Sequence, residues 1–464
     1  MCKIGGKKMA IKQVVAMNAL QETAAEVIKA SVCAVDGGWL ALVNTEAGKR
    51  LAVAVDKETA MTGMLRETEV KEASGVKVIL AALNANNAAV VRRFVKWAAP
   101  SACGTRGTSV GFSDWLGCAD AFVVDLFAKR QMKPVLVDYT PEDSAALQRN
   151  FLEAVDTATW GVLEAGYKEG YGANAAGLKS EEEIVKALLY GYSMIGFDCS
   201  EKINLAIEKL SDKEVEKRFY QFNETFCAAV NASYLNVEFK VGNNKVKFEE
   251  KELHRIVLEY GEAIMHIQFI YNSYLKNTPW DIDFELTLSK PGKLLTPQEH
   301  YLIANELERN GIKLAAICLD PLNEKEALAD NLQLHCDIAS AFEYRLSFRN
   351  AEIGLADPAA ALKYTKGKVH FKLNNILWMS AVKLIAATDA ELYAKLAAAA
   401  GVERVAADAI CGTDACKAFA LSYSKVLNPK EGNLAGEIKA FLQANKAAYA
   451  EAVRTNVGNY LKNL

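Results

Sequence analysis

The stretch DIDFELTLSKPGKLLTPQEHYLIANELERNGIKLAAICLD, residues 281–320, reads as strand, helix, strand. Residues 281–289 alternate polar and apolar, the period-two pattern of a strand. Thr296 is placed to cap a helix and Gly311 to stop it, and 313–320 is a second apolar strand. Strands joined through a helix lie parallel. Working outward, further strands read at 109–114, 134–139, 192–199, 344–350 and 368–375, with helical segments between them. Seven or eight such units predict an α/β fold, a (β/α)8 TIM-like barrel, over residues 105–385.

The flanks read differently. Residues 10–32 have helical character, and short strands follow with turns at Gly37-Gly38 and Glu46-Ala47-Gly48. This predicts a small α+β domain over 1–104, ending in the Pro/Gly/Ser stretch APSACGTRG. Strict alternation on both sides of Gly242-Asn243-Asn244 predicts a β-hairpin inserted near 235–250. The Ala-rich tail, 386–464, reads as helices packed on the outside of the barrel.

Composition narrows the function. Hydrophobic residues at 51% and charged residues at 24% describe a globular protein, and a net charge of −3 without a basic stripe argues against nucleic acid. No apolar run reaches the ~18 residues a membrane helix needs. A basic N-terminus without an apolar core is not a signal peptide, so a cytoplasmic protein is expected. The sequence Ile4-Gly5-Gly6-Lys7-Lys8 before Met9 has the look of an in-frame ribosome-binding site, which makes Met9 the expected start of a bacterial protein. The ten cysteines are scattered and read as free thiols. The Cys411/Cys416 pair lacks the partners of a zinc site.

Residues two apart share a strand face. Asp283, Glu285 and Thr287 form one such face; Arg345, Ser347 and Arg349 a second; His370, Lys372 and Asn374 a third. Apolar residues oppose each set, so the polar faces turn into the barrel, where charge is costly unless paired or used on a ligand. Glu285, Arg349, His370, Lys372 and Asn374 are therefore the site candidates. The alternative is a polar-layered barrel whose charges only pair with one another. GANAAGLKS (172–180) superficially resembles a phosphate loop, but Leu178 intervenes before Lys179 and the preceding segment is helical, so it is not one.

Several stretches then resemble one family in order. GFSDWLG (111–117) is similar to G-x-G-D-R-L-G. Residues 156–180 resemble a segment ending G-A-D-A-D-H-L-K, and 191–203 one ending T-I-D-P-x-D-H-V. TPQEHYLIANELERNGIK (296–313), YRLSFRNAEIG (344–354) and VHFKLNNILW (369–378) match three more segments. The family is that of the tagaturonate epimerases, sugar-acid epimerases of bacterial hexuronate catabolism. The resemblance implies a small sugar acid as ligand and C4 inversion of a keto-hexuronate, with Glu285 and His370 as an acid/base pair. Arg349 and Lys372 would stabilise charge, and Asp114, Lys179, Asp198, His300 and Asn374 would hold substrate. His266, His300, His335 and His370 stand at matching positions.

It also implies a divalent metal, and here the sequence departs. Asn174 and Ala176 replace acids, and Gly177 and Arg349 replace His. No metal or other cofactor is therefore expected with these residues. The readings left open are an epimerase with altered chemistry, a non-catalytic sugar-acid-binding barrel, and a lyase or aldolase on a related substrate.

Overall fold

A computed structural model describes residues 11–322, 325–410 and 414–464. The proposed start at Met9 and the residue Cys411 lie outside these. The described cysteines are all free, and Cys33, Cys199, Cys227, Cys318 and Cys336 are buried. Among the described residues no helix is long and apolar enough to cross a membrane.

The chain divides into two compact units. The first comprises the described residues up to Pro100 with Leu116–Lys129 and Asn150–Gly170; the second comprises Ser101–Trp115, Arg130–Arg149 and Tyr171–Leu464. In the first unit an antiparallel sheet is built from β1 (Glu26–Val27), β2 (Cys33–Val35), β3 (Gly38–Thr45), β4 (Gly48–Val55), β5 (Thr68–Ala73) and β6 (Val76–Ala81). Ala16, Ala19 and Leu20 of the helix Gln13–Thr23 pack on one face, with Ala41, Val43, Ala52 and Val78. Leu40, Leu42, Leu51 and Val53 pack on the other with Val90, Val91 and Leu163.

Two expectations change here. The first helix ends at Thr23 rather than running to residue 32, because Ala25 N and Ile28 N donate to Asn44 O and Leu42 O. Pairing with β3 outweighs local helix propensity. β5 was not foreseen: it is an edge strand, TEVKEA, mostly exposed and without apolar alternation.

The second unit is a closed barrel of eight parallel strands. They are β7 (Thr108–Phe112), β8 (Met132–Tyr139), β9 (Gly172–Leu178), β10 (Met194–Asp198), β13 (Asp283–Thr287), β14 (Ala316–Leu319), β15 (Arg345–Phe348) and β16 (Val369–Leu373). Between β10 and β13 stands the expected hairpin, β11 (Phe239–Val241) and β12 (Asn244–Val246). Phe239 packs on Tyr301 with ring centroids 4.6 Å apart, which fixes the hairpin to the helix Pro297–Arg309. Thr296 and Glu299 form a reciprocal capping box at that helix's start, and Gly311 follows its end.

The eighth strand is the segment GANAAGL itself. Gly and Ala have low strand propensity, yet β8 and β10 hold the segment on both sides. Ile195 pairs with Ala175 and Phe197 with Leu178, so Ala176 and Gly177 together oppose Gly196. Gly177 takes φ +65° in this bulge, a conformation open to glycine.

The tail forms several helices. Lys446–Lys462 packs on Ile376–Thr388, where Asn456 Nδ2 donates to Ser380 Oγ at 2.8 Å. One part of the tail does more than pack outside: Leu421 and Tyr423 reach the cavity described next.

Candidate active site

The C-terminal ends of the barrel strands surround a cavity of about 310 Å³, within the range of small-ligand pockets. Its wall is built from residues that terminate or follow strands: Trp115 after β7, Thr140 after β8, Asp198 at the end of β10 and Asp320 after β14. Arg349 and Asn350 follow β15, and Asn374 and Asn375 follow β16. Gly177 contributes from the bulge. Barrel enzymes place their chemistry at this end.

Arg349 is the one cationic side chain among the described residues of the wall. Burial opposes its charge, but Cys318, Asp143, Asp138 and Asp320 outweigh this and hold the guanidinium firmly protonated. Among the described residues, no hydrogen bond or ion pair engages the guanidinium directly. By contrast Asp143 accepts from Tyr423 Oη on one oxygen and from Thr140 N (3.1 Å) and Oγ1 (2.8 Å) on the other. Tyr423 also stacks on Trp115, with centroids 4.2 Å apart and planes 2° from parallel. Asp320 accepts from Leu322 N at 3.0 Å and from Asn350 Nδ2 at 3.3 Å. Asp198 Oδ1 accepts from Ser200 N at 2.9 Å; among the described residues, no such bond engages Oδ2.

One layer deeper lies a buried charge cluster. Lys372 bonds Glu285 and stands 3.7 Å from Asp138. Asn174 Nδ2 bridges the two carboxylates, at 3.2 Å from Asp138 and 3.3 Å from Glu285. Glu285 and Lys372 are 1% and 2% exposed. Burial pushes the Glu285 carboxyl up, but Lys372, with help from Ser347, brings its net displacement below the ordinary range. For Asp138 burial prevails over Lys372, and the carboxyl is displaced upward. Lys372, opposed by burial, is held charged by Asp138, Cys318 and Glu285. Two glycines allow this packing: a Cβ at Gly111 would stand 3.1 Å from Asp138 Oδ2, and one at Gly196 3.2 Å from Glu285 Oε1.

Deeper still, Arg345 Nη1 donates to Ser109 Oγ at 2.7 Å, and Ser109 Oγ lies 2.8 Å from His370 Nδ1. Burial drives His370 down to about 3, so it is neutral. Asp283 closes the bottom, accepting from Cys103 N and Gly104 N.

The structure thus brings Asp198, Arg349 and Asn374 together at the cavity wall. Glu285, Lys372 and His370 sit beneath it, in the charge-paired interior. Asp114 is buried, and its carbonyl accepts from Tyr139 Oη and Arg149 Nη1 while its neighbour Trp115 reaches the cavity. Lys179 stands at the rim, 3.1 Å from both Glu142 and Glu201. His300 is not at the barrel mouth. It is buried on the helix Pro297–Arg309, with Nδ1 2.9 Å from His335 Nδ1 and Nε2 2.5 Å from Tyr344 Oη. His254 stacks on Phe219 and His266 lies against Phe197. Asp138, Asp320 and Asn375 escaped notice, although each stands at or just after the end of a strand. Asn174 was hidden in a segment taken for a loop. Tyr423 carried no local signal at all.

The implied divalent ion does not fit these residues. Gly177 and Arg349, where the resemblance places His, both line the cavity. Glycine offers no side-chain ligand, and a guanidinium repels a cation and cannot ligate it. Among the described residues, no group of three or more His, Cys, Asp or Glu side chains could hold a metal ion.

Residues 28–410 match the family model described as UxaE, tagaturonate epimerase. The tagaturonate/fructuronate epimerase of Thermotoga maritima is 27% identical over 366 residues, covering 76% of this chain and 74% of that one. The native crystal structure of fructuronate-tagaturonate epimerase UxaE from Cohnella laeviribosi is 26% identical with a TM-score of 0.85, covering 97% of this chain and 99% of that one. Its two-glycerol complex is 25% identical with a TM-score of 0.86 and the same coverage.

Proposed function

Because the chain belongs to the tagaturonate epimerase family, we propose that its cavity takes a keto-hexuronate and inverts the hydroxyl-bearing carbon β to the ketone. The observation that carries this reading is Arg349, a charged guanidinium in the cavity wall with no direct partner among the described residues. Such a cation can hold a carboxylate or an enolate oxygen.

A retro-aldol and aldol sequence needs no oxidant. With the ketone at C2 and the carboxylate at C6, a base removes the C4 hydroxyl proton. The C3–C4 bond breaks, its electron pair passes into an enolate over C2 and C3, and C4 becomes an aldehyde. The aldehyde turns, C3 adds to its opposite face, and the alkoxide recovers the proton. Asp198, through Oδ2, is the wall carboxylate placed to exchange that proton. Arg349 stabilises the enolate oxygen, and Asn374, its Nδ2 donating to Ser113 Oγ at 3.0 Å, shapes the wall against which the substrate lies. Lys179, at the rim, receives the C6 carboxylate. Lys372, Glu285 and His370 hold the barrel floor rigid below. No step is routed through a metal, and the reaction belongs to a cytoplasmic enzyme.

A second reading is favoured by one observation: the charges of Glu285, Asp138 and Lys372 are paired with one another inside the barrel. On that reading the protein binds a sugar acid without turning it over.

The test is NMR of tagaturonate with the purified protein, chelator-treated and then supplied with Mn²⁺, Zn²⁺ or Ni²⁺. Appearance of the C4 epimer in chelator, abolished by Asp198→Asn, supports the proposal. Release of three-carbon fragments instead would make the protein a lyase. Binding without conversion under every condition would leave the second reading, and turnover only with metal would refute the metal-free site.

A further inference from the structure

Glu352 is a half-buried acid that the chemistry above does not use. It lies in the short helix Ala351–Gly354, three residues after Arg349. Its Oε1 accepts from Asn375 N at 2.6 Å, while Oε2 is buried with no hydrogen-bond partner among the described residues. Asn375 Nδ2 in turn donates to Asn350 Oδ1 at 3.0 Å, and Asn350 Nδ2 to Asp320 at 3.3 Å. Asn350 N donates to Asn374 Oδ1 at 3.3 Å. Asn350 itself holds φ +50°, a strained turn for any residue but glycine, although Asn tolerates it best.

These residues are the cavity wall on either side of Arg349. Asn350 is the next residue in the chain, and its turn decides where the guanidinium points. The backbone holds the turn through Ile353 N and Gly354 N, which donate to Asn350 O at 3.1 and 2.9 Å, while the bonds of the Asn350 side chain and N–H run to Asn375, Asp320 and Asn374, and Glu352 anchors Asn375. We infer that Glu352 is a positioning residue, which sets the Arg349 turn through the Asn375 amide and makes the set of the cavity wall depend on its own proton.

The groups around it agree with this. Burial, with Asp320 adding to it, pushes the Glu352 carboxyl up to about 7, against the pull of the Asn375 amide. From the last helix comes Tyr460, whose hydroxyl is likewise buried with no partner among the described residues. Burial and the Glu352 charge both raise that phenol, so it stays protonated. No cation is among the groups that shift Glu352. Its neutral form is the one that sits best beside Asp320. Because the folded value lies above the free value of 4.5, the stabilising effect is complete below about 4.5 and is lost as pH rises through about 7.

The inference rests on the keto-hexuronate reading for its ligand, but not for its first measurement. The urea midpoint is compared for wild type and Glu352→Gln from pH 5 to 8.5. Glutamine keeps an acceptor for Asn375 and cannot ionise. Wild type should lose roughly ten- to a hundredfold in its folding constant relative to the variant across that range. Parallel curves would overturn the proton dependence. The second measurement is binding of tagaturonate by calorimetry. Wild-type affinity should weaken about tenfold above pH 7, Glu352→Gln should stay level, and Glu352→Ala should bind weakly throughout. An Ala variant that folds and binds like wild type would overturn the positioning role. Failure of wild type to bind at any pH would instead refute the ligand assignment and leave the stability result standing.

Discussion

Replacing Arg349 by Met tests the reading of the cavity most directly. The guanidinium faces Asp143, Asp138 and Asp320, and none of these carboxylates makes an ion pair with it. A ligand oxygen on this guanidinium would make a charge-assisted hydrogen bond, worth about 1.5–3 kcal/mol. Arg349→Met should weaken binding of a keto-hexuronate by roughly 10- to 150-fold. Arg349→Lys keeps the charge but not the planar fork, and should recover about half of that free energy. Titration calorimetry gives the affinities, and NMR gives epimer formation on the same samples. If Met binds as tightly as Arg, the cation does not hold the ligand, and the argument from its unpaired state fails. If Met retains affinity but loses all conversion, the guanidinium meets the enolate rather than a ground-state oxygen.

Lys372→Met would leave Glu285 and Asp138 buried without their cation; a loss of about 3–5 kcal/mol is expected, and a urea midpoint within about 1 kcal/mol of wild type would show that water reaches them. Gly177→Ala should cost ~1–2 kcal/mol through its left-handed backbone, with the new Cβ 3.3 Å from Thr140 Cγ2. Gly177→Asn should be milder, and equal melting temperatures for Ala and Asn would mean the bulge relaxes. Tyr423→Phe removes the hydroxyl from Asp143 and keeps the stack on Trp115; a loss of about 1.5 kcal/mol in stability is expected. Tyr423→Ala opens the wall and should weaken ligand binding further. Unchanged affinity in both variants would place the tail outside the site.

The barrel was legible because most of its strands carry a two-sided signal. β13, β15 and β16 set charges against Phe, Leu and Val, and the residues opposite the charges are buried against the surrounding helices. The same alternation pointed to a functional interior, but it could not separate the layers. Along β16, His370, Lys372 and Asn374 share one face, yet only Asn374 reaches the cavity wall. Height along a strand decides access, and it is set by register with neighbours far off in the chain. His300 misled for another reason. It sits where the resemblance puts it, but its ring is saturated by His335 and Tyr344.

GANAAGL shows most clearly why side-chain content and structural role come apart. Read as a loop, it had lost its ligands; as β9, its smallness has a use. Asn174 is its one large inward residue, and it bridges two carboxylates that belong to β8 and β13. Gly196 on the next strand lets Asn174 Oδ1 and Glu285 Oε1 approach to 3.2 Å from where a Cβ would be. An aspartate in place of Asn174 would put a third carboxylate on Lys372, with no further cation in that layer to offset it. Asn174 and Arg349 are thus two sides of one balance. Where Lys372 and the guanidinium are the cations at hand, the barrel interior tolerates only as much negative charge as they can offset, and the amide at 174 keeps it within that limit.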